Sequence, residues 1–136
     1  MGMPFPCGIH IERSASLFTD NITGIKTSVN GLYCNLSGGE NSALKVYREK
    51  GEHACSKFVL LYIAKTLDKL SANLRNQYPN LPIVYSGGVM SNKYINSILT
   101  KRPDTYFATP VFSADNAAGI ALLTQRRFTE NFEVSK

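Results

Sequence analysis

The sequence predicts an α/β domain. Its elements run β-β-α-α-β-α-β-α, a mixed sheet with helices on its faces, over residues 1–136 as one unit. Three observations predict it. Asn30-Gly31 separates two stretches of alternating polarity, which signals a hairpin. Residues 52–77 carry apolar side chains at helical spacing and form a run too long for a strand. The nearly continuous apolar run "LPIVYS" (81–86) then gives way to Gly87-Gly88 and another helical pattern. A strand buried on both faces of a parallel arrangement, turning into a helix, has that pattern.

The elements follow in order. Pro4, Pro6 and Gly8 make residues 1–20 mostly irregular, with a short helix over 9–17. Ile25, Thr27 and Val29 alternate with polar neighbours, and so do Leu32, Cys34 and Leu36. This places strands at 22–29 and 32–37 with a type I′ turn at 30–31. Ser37-Gly38-Gly39 closes the hairpin and opens a short helix, "ENSALKVYREK", which Gly51 breaks. In the main helix Ala54, Phe58, Leu61 and Leu67 form the apolar stripe, and Leu60 and Ile63 widen it until Pro79 stops the run. Residues 90–100 make a helix and 104–109 a short strand. Ser113 to Asn116 opens a last helix whose Ala117, Ala118, Gly119 and Ala121 form a small-residue face suited to close packing.

Composition narrows the class. Of 136 residues, 43% are hydrophobic and 18% charged, as in a soluble globular domain. No apolar run approaches the ~20 residues that span a bilayer, so no membrane role is expected. The N-terminal stretch lacks the basic and apolar regions of a secretory signal. Three cysteines, odd in number and without a CxxC, suit reduced thiols in a cytoplasmic protein. A net charge of +5 would help the chain approach a polyanion. The cations are scattered, however: Lys45, Arg48 and Lys50 cluster once, and Lys101-Arg102 and Arg126-Arg127 form pairs. Without a basic stripe interleaved with aromatics, a solvated surface is favoured over a nucleic-acid face.

Chemistry concentrates at the turns. Gly87 and Gly88 fall at the carboxyl end of a strand, where open α/β sheets bind ligands, and would let a phosphate approach backbone amides. Asn92 offers a donor and an acceptor one turn further on. Tight packing alone also places glycines in such turns, and the lysine and hydroxyl of a P-loop are absent. Ser37-Gly38 repeats the design, so the two turns, if on neighbouring strands, would face each other across one cleft. Gly8 adds a third glycine in a rigid loop. Asp115 opens the last helix, where a carboxylate either satisfies free amides or faces a cation or its phosphates. His10 and His53 lie 43 positions apart and have no ligand spacing.

Taken together, the proline–glycine loop at Pro4–Gly8, "LSGGE", "GGVMSN" and "FSADNAAGIAL" resemble the motifs of the glycoprotease-like family. Its best-understood members are the catalytic subunits of tRNA threonylcarbamoyladenosine synthesis. The resemblance spans nearly the whole chain, and its specific part is the last two motifs, with 23 residues from Asn92 to Asp115. The earlier two are looser: Cys7 stands at the first glycine of the family's Pro-Gly-Gly loop, and Leu36 and Gly39 depart from its Ser-Phe-Ser-Gly turn.

The resemblance implies an actin-like, sugar-kinase-like ATPase (ASKHA) fold of two RNase H-like lobes, of which this sequence matches the C-terminal one. It implies that Gly8, Ser37, Gly38, Gly87, Gly88 and Asn92 line a site for ATP or an adenylate. It further implies that Asp115 binds a divalent metal, whether iron, zinc or magnesium, once the other lobe is present. The family's HxxxH pair and its acidic Asp-Asp-Ala-x-Gly-Glu stretch are missing, so the catalytic site is incomplete in this chain and its catalytic residues stay unassigned. The older protease label finds no nucleophile–base pair and no zinc motif here. Expected partners are the missing N-terminal lobe or a second copy through the exposed cleft face, and tRNA in the complete protein. The alternative is a non-catalytic paralogue that keeps the fold as a dimerisation or partner-binding module. A small tRNA-binding domain is a third class, permitted by the charge alone.

Overall fold

Three helices, α1 (Cys7–Ser16), α2 (Ser37–Gln77) and α3 (Lys93–Leu99), converge on one apolar cluster. The structure is a computed structural model and describes residues 2–113 and 117–133. Ala15 of α1, Leu60 and Ala64 of α2, and Ile95 and Leu99 of α3 are the buried centre of that cluster. Alanines on α1 and α2 let the backbones approach, and the branched chains of α3 fill the gap. Ile11, Ile63, Leu67, Tyr85 and Phe107 surround them.

The strands form two separate ladders rather than one mixed sheet. β1 (Ser28–Asn30) pairs antiparallel with β2 (Tyr33–Asn35), and β3 (Ile83–Tyr85) pairs parallel with β4 (Thr105–Phe107). Each strand is three residues long, shorter than its sequence pattern predicts. The hairpin turn lies one residue later than expected. Asn30 pairs with Tyr33, so Gly31 and Leu32 form the loop. Only Gly31 of the two has positive φ, at 56°, which is the type II′ pattern rather than type I′. Residues 22–27 form a loop instead of a strand because Gly24, at φ 71°, turns the chain out of the extended region.

Helix α2 contains both helices predicted between Ser37 and Gln77, joined through a break at Gly51. Gly51 has φ 82° and ψ −173°, a conformation open essentially to glycine alone. Beyond the break the helix is buried on more than one side. Leu60 and Ala64 face the central cluster. Phe58 and Tyr62 stack with ring centroids 5.9 Å apart, and the Tyr62 hydroxyl donates to the Asn35 carbonyl of the hairpin. Tyr62 also explains Gly39: a Cβ there would lie 2.7 Å from the tyrosine ring. The Ser-Gly-Gly turn therefore keeps its second glycine for packing.

Among the described residues, the parallel pair is covered on one face only. Tyr85 and Phe107 stack at 5.1 Å and pack on the helices, and the Tyr85 hydroxyl hydrogen-bonds Ser71. On the opposite face Val84 and Tyr106 are 65% and 57% exposed, which corrects the expectation of a strand buried on both faces. Arg102 ties the start of this layer to α2 through a two-pronged ion pair with Asp68, and Arg75 donates to Thr105. That bond to Asp68 holds the guanidinium even above its usual range.

Cys55 sits inside the bend of α2, 4% exposed, and its thiol donates to the Ala43 carbonyl. Burial pushes its pKa up. Cys7 and Cys34 are exposed. Thiol labelling of the native chain at pH 8 is therefore expected to give two fast cysteines and one slow one, with all three fast in denaturant. A raised thiol pKa also means that the fold is stabilised below the ordinary thiol range and loses that stability as pH rises through it. Fast labelling of three thiols in the native chain would contradict this packing.

Among the described residues no helix is long and apolar enough to cross a membrane.

Candidate functional site

Gly87 and Gly88 do occupy the carboxyl end of a parallel strand. β3 ends at Tyr85, and residues Gly88–Ser91 form a single 3-10 turn before α3. The two glycines differ. Gly87 has φ 110° and ψ 160°, which only glycine adopts without strain, and it redirects the chain from strand to turn. Gly88 has an ordinary conformation, is exposed, and a Cβ on it would meet nothing within 4 Å among the described residues. Among those residues neither packing nor backbone geometry requires glycine at position 88, and they leave the space beside it open. The amides of Gly88 and Val89 have no backbone partner among the described residues, whereas Met90 donates to the Gly87 carbonyl and Asn92 to that of Val89.

Asn92 lies at the cap of α3 rather than inside the helix. Its Oδ1 accepts from the Ile95 amide at 3.0 Å, which satisfies a free amide of the helix start. Its Nδ2 donates to Glu12 of α1 at 3.0 Å. The side chain is 9% exposed and links two helices across 80 positions of sequence. The structure thus gives the amide a structural task at both ends.

Helix α4 (Pro110–Ser113) lies against the 3-10 turn, so the approach to the second motif is next to the first. Asp115 itself lies outside the described residues. The other predicted positions are not gathered here. Gly8 is exposed in the first turn of α1. Ser37 and Gly38 begin α2 beside the hairpin, on a different ladder from the Gly87 turn. The two serine–glycine turns are therefore not on neighbouring strands, against expectation. The Ser37 amide and hydroxyl both donate to Asn35 Oδ1, at 2.9 and 2.7 Å, which closes the step from β2 into α2.

A nucleophile–base contact absent from the sequence reading is present. Ser14 Oγ lies 3.0 Å from His53 Nδ1. The residues are 39 positions apart, and no local pattern announces the pair. Ser14 is 6% exposed, and among the described residues no carboxylate hydrogen-bonds the ring to orient it. The arrangement joins α1 to α2 and lacks the parts of an acyl-transfer site. No group of three or more metal-ligating side chains occurs among the described residues.

No family model matches the chain. It is 28% identical to the tRNA N6-adenosine threonylcarbamoyltransferase of Chlamydia trachomatis serovar A over 160 aligned residues, covering all of this chain and 45% of that protein. The chain is a distant relative of that enzyme. It spans less than half of the relative's length. Together with its α/β construction from helices and small sheets, the kinship supports a relationship to one lobe of a tRNA threonylcarbamoyltransferase.

Proposed function

We propose that this chain is the C-terminal, nucleotide-binding lobe of a glycoprotease-like protein related to the tRNA threonylcarbamoyl transferases. The observation that carries the reading is the space that the described residues leave open beside Gly88, at the carboxyl end of a parallel strand, in a chain with that kinship. The amides of Gly88 and Val89 would receive phosphate oxygens of ATP or of an adenylate. Gly87 makes the turn, and Asn92 holds its far end rigid through α3 and α1. Asp115 would meet the divalent metal that accompanies the phosphates. The residues completing the site would come from the first lobe, and tRNA would be the acceptor's source in the whole protein.

Calorimetric titration with ATP and magnesium tests this. Saturable binding is expected for the native chain, with loss of at least about tenfold in affinity for Gly88→Val and an unchanged unfolding transition. Equal binding by both proteins would remove the turn from the site.

A second reading has its own observations. Val84 and Tyr106 on the bare sheet face, and Ile120, Leu122 and Leu123 on α5 (Ala117–Glu133), are all more than half exposed. Apolar surface of this kind is what a partner-binding paralogue would present. Sedimentation that shows a dimer, together with no nucleotide binding, would favour it.

A further inference from the structure

We propose that the cleft at the bend of α2 is a second binding site, for a small phosphate monoester with a compact apolar body. The break at Gly51 is what creates it. The first arm of α2 turns away there, and the loop at residues 22–26 closes over the angle. The cleft has a volume of about 330 Å³, within the size of small-ligand pockets. Its floor is apolar: Ile22 and Ile25 from the loop, Val46 from the first arm and Phe58 from the second. Gly24, held at φ 71°, curves the loop around that floor.

The rim is cationic. Lys26, Lys45 and Lys50 line it with a single acid, Glu49. Lys45 and Glu49 are one helical turn apart and pair at 3.9 Å, so they largely cancel. Lys26 and Lys50 have no ion-pair partner among the described residues. The remaining charge of two matches a phosphate monoester, which carries about −1.5 to −2 at neutral pH. A carboxylate would leave one ammonium unmatched. Lysines bind phosphate as point charges and need no forked geometry. Nucleic acid fits less well. The one aromatic ring in the cleft, Phe58, is 6% exposed and gives bases no face on which to stack. No residue of this cleft belongs to the Gly87 turn, so the site is independent of the function proposed above.

The test is an amide-shift titration of the whole chain with phenyl phosphate, beside inorganic phosphate, benzoate and a short single-stranded RNA. Phenyl phosphate is expected to shift the Gly24 and Gly51 amides saturably. Inorganic phosphate and benzoate should bind at least about tenfold more weakly. The double variant Lys26→Gln/Lys50→Gln should lose at least about tenfold in affinity for phenyl phosphate with its unfolding midpoint unchanged. Any of three results would overturn the proposal: no shift at Gly24, equal affinity for inorganic and phenyl phosphate, or an unaltered double variant. A lysine-dependent shift caused by the RNA alone would also overturn it and assign the rim to nucleic acid.

Discussion

Ile95→Ala is expected to lower the unfolding free energy by about 2–5 kcal/mol. The side chain is fully buried where α1, α2 and α3 meet, in contact with a cluster built from Ala15, Leu60, Ala64 and Leu99. Two of these neighbours are alanines, which have no rotamers with which to fill a void. The cavity would therefore persist, and its cost would add to the lost transfer of the removed carbons. Domains of this size are stable by about 5–15 kcal/mol, so the change takes a large share of the total. Urea unfolding measures it. Ile98→Ala, at a partly buried position on the same helix, should cost distinctly less. Equal, small shifts for both variants would mean that the three helices do not converge on Ile95.

Asn92→Ala is expected to cost about 1.5–5 kcal/mol by the same measurement. Loss of the cap contributes about 0.5–2 kcal/mol. Removing the donor also leaves the half-buried Glu12 carboxylate without its amide, at about 1–3 kcal/mol. Asn92→Asp separates the two parts. Aspartate keeps the acceptor for the Ile95 amide but brings a second carboxylate against Glu12. Its deficit should be largest at neutral pH and shrink as pH falls through the carboxylate range, where one of the two acids takes a proton. A deficit independent of pH would mean that Glu12 and Asn92 are not in contact.

Asn92 also shows how far the sequence could be read. An amide after a Gly-Gly turn has a donor and an acceptor, and the sequence says no more than that. Its partner Glu12 is 80 positions away, so the structural task appears only once the fold brings α1 to the cap of α3. The break at Gly51 was legible because a glycine interrupting a helical pattern has one meaning locally. The main helices, the hairpin and a parallel arrangement for the strand at β3 were legible for the same reason, since spacing, turn residues and apolar runs are local signals. The failures involve what pairs with what. Alternation at Ile25, Thr27 and Val29 predicts an extended segment, but Gly24 and the angle of α2 make it a loop over a cleft. Val84 sits in a continuous apolar run, yet among the described residues no element covers one face of the two-stranded ladder. The serine–glycine turn at Ser37 looked like a companion to the Gly87 turn, but each ends a strand of a different ladder. Gly39 and Gly88 are alike in the sequence. The Tyr62 ring beside one, and the space that the described residues leave open beside the other, separate a packing glycine from a candidate binding one.

Amide-shift mapping of the native chain with ATP and magnesium tests the proposed role of the turn at Gly87–Ser91 in receiving the phosphates of an adenine nucleotide. Saturable shifts are predicted at Gly88 and Val89, spreading to the cap of α3 at Asn92, with the Ser37–Gly38 amides unmoved. Shifts absent from Gly88 and Val89 at millimolar nucleotide, or confined to other parts of the chain, would contradict it.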